Sequence, residues 1–484
     1  MTYRRWTAAV LIAVAVFIAS CGGVTDPSPE TTATPAATGT AEPSPTVPPA
    51  TATPLLATAT PTAIPPTSTP APIATPRPPR VVAEGWVNRI AFAATDGAVY
   101  TINPDGSDRR RVSPEFTAAD GDAGPRHTWP VWSPDGGSLV FSSMTPVLGN
   151  SIDIALMRGD ALGAHAPVII FADDPQSNGV GSSTPHYAAW SPDGGSIVLI
   201  TGTGQGLVTV VIDSDYGNNV RRMAEGQPVY MDWSRDSQYL LVHLDAILLL
   251  NTFAPDGSRS GLSPVGRGSI SYHSPQWSPA GNRYLYTDVT DGVTHLKIGK
   301  PGEEATVIRD IVGPAAFSWS PDGSRFAVVT GDGGQYFESL SILSGDGAGE
   351  TVLIEKQLLG FWWSPDGTRL ALAAPHEQVR DAIAWTVIDV DTGTETHLAV
   401  NVPTEEFMFM QFFFDQYVVS HQLWSPDSTR LVLSGALIEP AGLGQDGMVD
   451  PPDGLRAGIW VVDASGEQPP VQLGEGRIAA WSPK

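Results

Sequence analysis

The sequence predicts an all-β fold, an eight-bladed β-propeller of four-stranded blades in which the C-terminal strand pairs with the first blade and closes the ring. The first observation behind this is a repeat. Trp-Ser-Pro-Asp-Gly begins at Trp132, Trp190, Trp319 and Trp363, is altered as Trp233-Ser-Arg-Asp-Ser, Trp277-Ser-Pro-Ala-Gly and Trp424-Ser-Pro-Asp-Ser, and is truncated as Trp481-Ser-Pro-Lys. The eight copies lie 58, 43, 44, 42, 44, 61 and 57 residues apart, a period that marks stacked supersecondary units and propellers above all. The second observation is that each interval holds short β-rich runs. The third is that the two ends of the repeat region supply complementary parts of one blade.

Taken in order, the chain opens with an export signal. Arg4 and Arg5 precede an apolar run over 8–19, too short to span a bilayer comfortably. Cys21 is the one cysteine of the chain, which excludes an intramolecular disulfide. Ile18-Ala19-Ser20-Cys21 resembles the lipobox of bacterial lipoproteins. That resemblance implies a signal peptide over 1–20, a diacylglycerol anchor on Cys21, and a place on the extracytoplasmic side of a cell membrane, at the cell surface or in the periplasm. From 24 to 80 the chain holds 16 prolines and 15 threonines, so 21–81 reads as the lipidated cysteine and a disordered linker. In polyproline II, at about 3.1 Å per residue, such a linker reaches roughly 170 Å.

Charge narrows the partners. Against 27 Lys and Arg stand 51 Asp and Glu, a formal net charge of −24, and all of the acidic excess follows residue 80. Such a body repels a phosphate backbone, so nucleic acid is excluded as a partner.

The body, 82–484, is read as strands. After Trp319, the runs 325–330, 337–343 and 351–355 are β-rich, and a fourth strand ends in Trp363. Ser-Pro-Asp-Gly suits the turn from innermost strand A to strand B, because Pro presets φ at the second position and Gly tolerates the left-handed conformation that closes the turn. Ser237 and Ser428 stand where this Gly belongs, which predicts slightly strained turns and intact blades. The tryptophan is expected as a wedge between neighbouring blades. At the front, 88–94, 98–103 and 109–113 read as strands B, C and D without a strand A, and at the end 477–481 reads as a strand A with nothing after it. Joining the two removes the exposed sheet edges that invite aggregation.

Ile102-Asn-Pro-Asp-Gly-Ser107, Trp132-Ser-Pro-Asp-Gly-Gly-Ser-Leu-Val-Phe141 and Trp363-Ser-Pro-Asp-Gly-Thr-Arg-Leu-Ala-Leu372 resemble the repeats of the TolB-like propellers, seen also in the propeller of prolyl oligopeptidases. The resemblance covers 82–484 and implies a binding platform in the cell envelope. Blade number, the lipobox and the lack of a globular N-terminal domain depart from the best-known member, so its partners are not carried over.

Function is sought in the insertions, because loops on a rigid scaffold carry it. The long ones, D–A loops at 115–128, 172–184 and 402–420 and B–C loops at 375–381 and 439–458, all fall on the face where the channel opens. The most distinctive, Glu-Glu-Phe-Met-Phe-Met-Gln-Phe-Phe-Phe-Asp-Gln-Tyr over 405–417, either lines a binding site or docks a partner, or folds over blade seven as a local plug. Its polar candidates are Asp415, Gln416, Tyr417 and His421. A second set emerges from aligning the tryptophans: His127, His186, His273 and His421 each precede one by three to five residues, with Arg126, Tyr187 and Tyr230 nearby. These form either a hydrogen-bonding rim or an acid–base or metal site, with His186 and His273 as the ligand pair; no short ligand spacing supports a metal.

The acid pairs Asp213/Asp215 and Asp389/Asp391 read as turn chemistry, since the other ligands of a calcium loop are missing. There is no Gly-x-Ser-x-Gly elbow and no phosphate-binding glycine loop, and no stretch is left for a hydrolase domain. The expectation is therefore a monomeric binding module without cofactor that holds an envelope protein, peptide or glycan at the channel mouth. The competing class is a hydrolase or lyase that uses the histidine rim with a bound metal.

Overall fold

The structure is a computed structural model that describes residues 88–116, 124–147, 151–172, 187–203, 206–215, 217, 219–254, 257–267, 274–332, 336–438 and 448–484. The signal segment, Cys21, the linker, His186 and His273 lie outside the described residues.

What forms is mostly β. Among the described residues, five antiparallel sheets of four strands follow one another along the sequence. The first comprises Arg126–Trp132, Ser138–Val147, Ser151–Asp160 and Val168–Ala172, and the others run over 187–225, 229–266, 276–311 and 315–354. The remaining strands join edge to edge into a ten-stranded sheet. Successive four-stranded antiparallel units with a repeat tryptophan at the end of the first strand are the arrangement of a β-propeller.

The two ends of the repeat region meet as expected. Ile90–Ala94 pairs with the last strand, Val471–Trp481, with Ile90 opposite Trp481 and Phe92 opposite Ala479. Ser482 and Arg89 exchange backbone and hydroxyl hydrogen bonds at the seam. The last strand is longer than the expected 477–481. Its first half pairs with Gly458–Asp463 and its second with Ile90–Ala94, and the partner changes at Gly474 and Gly476. One strand thus serves two neighbouring units.

The repeat builds a self-contained turn. In the copy at Trp132, the Ser133 hydroxyl donates to the Asp135 carboxylate at 2.6 Å and accepts the Ser138 N–H at 2.9 Å, while Gly136 closes the turn onto the Ser133 carbonyl with φ 73°. The same Ser-to-Asp bond, also 2.6 Å, recurs from Ser191, Ser234, Ser320, Ser364 and Ser425. Where Gly is lost, Ser237 and Ser428 hold φ of 60° and 61°, the strain the sequence predicted. Each compensates with a bond to its neighbour, since Ser237 Oγ accepts the Asp193 N–H and Ser428 Oγ the Asp366 N–H, both at 3.0 Å.

The tryptophans are buried between neighbouring sheets. The indole N–H of Trp132, Trp190, Trp319, Trp363 and Trp424 donates to Ala480, Val131, Gln276, Ser318 and Trp362, in each case the carbonyl just before the preceding repeat tryptophan. Arg283, Arg325 and Arg369 lie over the next tryptophan along, at 5.0, 6.0 and 5.4 Å from its ring. Each also donates to the next turn, at Gly323, Gly367 and Ser428. The acid pairs cap turns: Asp213 accepts the Asp215 N–H at 3.0 Å and Asp389 the Thr392 N–H at 2.8 Å.

Candidate functional site

The insertion after Pro403 folds into two short helices, Glu405–Phe412 and Phe414–Tyr417. Thr404 caps the first by accepting the Phe407 N–H at 3.2 Å, and Glu405 and Glu406 occupy its first turn, where the helix dipole favours negative charge. Thr-Glu-Glu ahead of an aromatic run is a helix-start signal, present in the sequence and passed over in the strand reading.

These helices sit among the first strands of the sheets, in the channel. Phe414 packs against Phe337, Phe361 and Trp362, and Phe407 against Trp362 and Trp385. Gly360 permits the approach, since a Cβ there would lie 2.7 Å from the Gln411 amide and 2.9 Å from the Phe414 ring. On the other side Trp129 clasps Phe409, Tyr417 and His421 at 5.8, 5.1 and 5.5 Å. Trp129 does so from a bulge in its strand with φ 55°, a conformation that costs a bulky residue about 1–3 kcal/mol. Nothing in the sequence flagged it.

Polar contacts fix the insertion from several strands. Gln416 bonds Met231 like a paired strand residue, accepting its N–H at 2.7 Å and donating to its carbonyl at 2.9 Å, and it also donates to the Tyr187 hydroxyl at 2.7 Å. That hydroxyl donates in turn to the Gln416 carbonyl at 3.0 Å. Asp415 accepts the Ser274 N–H at 2.8 Å, and its carbonyl accepts the Gln276 amide at 2.7 Å. Burial pushes its carboxyl up to about 6, against the pull of these backbone bonds. The buried Glu406 is held by Arg126 and Arg477, both outside the insertion.

Six sequence candidates, Arg126, Tyr187, Asp415, Gln416, Tyr417 and His421, therefore meet in one contact set, in which Tyr417 packs by its ring and the polar groups of the other five bond the chain to itself. His421 is buried with Nδ1 against the Ser420 hydroxyl at 2.9 Å, and burial lowers its pKa to about 3. His127 stands apart, edge-on to Phe141, and burial, followed by the charge of Arg111, lowers its pKa to about 4. Tyr230 is buried beside His243, its partner across the strands. Among the described residues no three His, Cys, Asp or Glu side chains gather as a metal ligand set.

The insertion leaves a cavity on either side. Toward the loops, a recess of about 290 Å3 lies between the first helix and the loop at 375–381, with Phe337, His376, Arg380, Met408, Gln411 and Met448 in its lining. Its loops are ordered by exchange between Arg380, Val449 and Gln378 backbones at 2.8–2.9 Å. His376 Nδ1 accepts the N–H groups of Gln378 and Val379, which leaves Nε2 as the protonated nitrogen of the neutral ring. Gln411, 4% exposed, has no partner for either amide atom among the described residues. Toward the Trp-Ser-Pro turns, a second cavity of about 310 Å3 is walled by tryptophans, with Asp232 among them.

No family model and no curated protein matches the chain. Similar solved structures include a eukaryotic initiation factor, 13% identical over 81% of this chain and 97% of that one with a TM-score of 0.48. An oligogalacturonate lyase in complex with manganese is 11% identical over 73% and 86%, with a TM-score of 0.43. TolB from Acinetobacter baumannii is 14% identical over 72% and 83%, with a TM-score of 0.33. No activity is carried over from likenesses so distant.

Proposed function

We propose that this chain is a lipid-anchored, extracytoplasmic propeller of eight blades that binds an envelope protein, peptide or glycan at its channel mouth, in the recess beside Gln411, without catalysis. The count of eight takes the ten-stranded sheet as three blades joined at two seams: 400–403 with 435–438, and the shared strand Val471–Trp481. One observation supports the ligand site. A buried amide with neither donor nor acceptor satisfied costs about 1–3 kcal/mol per group, and Gln411 bears that cost at the wall of a recess. Beside it, Phe412 and Met448 are exposed apolar groups, 42% and 54% accessible, suited to anchor an apolar side chain or a sugar face. Asp415 backs this recess, and the remaining members of the contact set hold its wall in place.

Two experiments test the reading. On a peptide and glycan array, the protein should bind a defined subset, and Met448→Arg and Gln411→Leu should each weaken that binding at least about tenfold, roughly 1.4 kcal/mol. Full binding by both variants would refute the recess. Cys21→Ser should release the protein from membranes in a fractionation, and an unchanged distribution would refute the anchor.

A further inference from the structure

We propose that the second cavity, on the turn side of the insertion, binds a small organic cation, an amine or guanidinium carried on a short alkyl body. The repeat itself points there. The residue just before each repeat tryptophan occupies one slot around the channel and is apolar in most copies, but three consecutive copies supply Asp232, Gln276 and Ser318. All three line the cavity, whose walls include Trp233, Trp277 and Trp319, and to which the insertion contributes Val418 and Val419.

Asp232 is half-buried, so water reaches it through the cavity. One carboxylate oxygen accepts the backbone N–H of Trp277 at 2.6 Å. Among the described residues no Lys, Arg or His charge compensates it, and Arg235, at the exposed rim, donates instead to the Pro279 carbonyl at 2.5 Å. Burial pushes the carboxyl up to about 7, the mark of a charge without a partner. Beside Asp232, the indole N–H groups of Trp233 and Trp277 lack the carbonyl acceptor that Trp132, Trp190, Trp319, Trp363 and Trp424 find, as does that of Trp481 elsewhere in the repeat.

The ligand class follows from what the walls offer. Calcium takes about six to eight oxygen ligands, and this cavity supplies one carboxylate. The faces of Trp319 and Trp363 are already covered by Arg283 and Arg325, so the wall gives apolar contact and not a cage for a quaternary ammonium. A cation with N–H donors and a few methylenes fits both halves: donors for Asp232, methylenes for the indoles. The net charge of −24 concentrates such cations near the protein.

Calorimetry on the full-length protein in detergent tests this with three probes: n-butylguanidinium, its neutral isostere n-butylurea, and tetramethylammonium. The first should bind at least about tenfold more tightly than the others, and Asp232→Asn should reduce it to the level of the urea. Equal binding of the guanidinium and the urea, no binding of the guanidinium, or unchanged affinity in Asp232→Asn would overturn the site. Should Asp232→Asn fail to fold by circular dichroism, Val419→Trp fills the cavity and keeps the carboxylate; retained binding in that variant would equally overturn it.

Discussion

The repeat framework and the inserted segment bury aromatic side chains by different rules. In the framework the same contacts return: a tryptophan between sheets, its N–H on the carbonyl before the preceding one, an arginine laid over its face. In the insertion no contact recurs. Phe407, Phe409, Phe414 and Tyr417 each meet a different set of rings, and Gln416 and Asp415 each bond a different strand. Periodic contacts specify the scaffold many times over, so one worn copy is tolerated. Contacts made once carry individual weight, and around them lie the unsatisfied amide of Gln411 on one side and the uncompensated charge of Asp232 on the other.

The largest expected effect breaks the insertion. Phe414→Ala removes a ring packed against Phe337, Phe361 and Trp362 and should cost about 3–5 kcal/mol in urea denaturation. A cost below about 1 kcal/mol would mean that the segment lies over the channel and not in it.

Next in size is a pH effect at the slot where the repeat departs from its own rule. Asp232 has a folded pKa near 7, above its ordinary 3.8. Its contribution to stability is therefore complete below about pH 4 and is lost as pH rises toward 7, because the folded state holds the proton the unfolded state releases. Asp232→Asn removes that loss, so the variant should gain on the wild type between pH 4 and 7, by about 2 kcal/mol after allowance for the water in the cavity. His127 and His421, lowered to about 4 and 3, impose the opposite slope on both proteins and cancel in the difference. A difference that is flat with pH would remove Asp232 from consideration as a buried charge.

The smallest effect sharpens the account of the worn turns. Ser428→Ala keeps φ near 61° and loses the bond to the Asp366 N–H, which should cost about 1 kcal/mol. Ser428→Gly loses the same bond and relieves a left-handed strain of about 1–2 kcal/mol, so it should be nearly neutral in thermal unfolding. Equal costs for the two would show that strain plays no part there.

Much of the fold was legible because its contacts are periodic. Spacing of tryptophans, proline and glycine in the turn, and the missing strand at each end were enough to place Arg325–Thr330 as a strand and to bring the chain's end against Ile90–Ala94. The site was legible in its residue types: Arg126, Tyr187 and the polar end of the insertion do come together. What they come together to do was not, since the helices, the bulge at Trp129 and the role of Glu406 depend on partners far away in sequence.

The sequence by itself thus determined the period, the turn chemistry and the closing strand, because each is written in local spacing and repeated. Only the tertiary structure decided that the aromatic segment enters the channel and divides it, leaving a recess at Gln411 and a tryptophan-walled cavity at Asp232. The physical reason is separation: Glu406 meets an arginine 280 residues away, and a contact made once over such a distance leaves no pattern in the sequence to read.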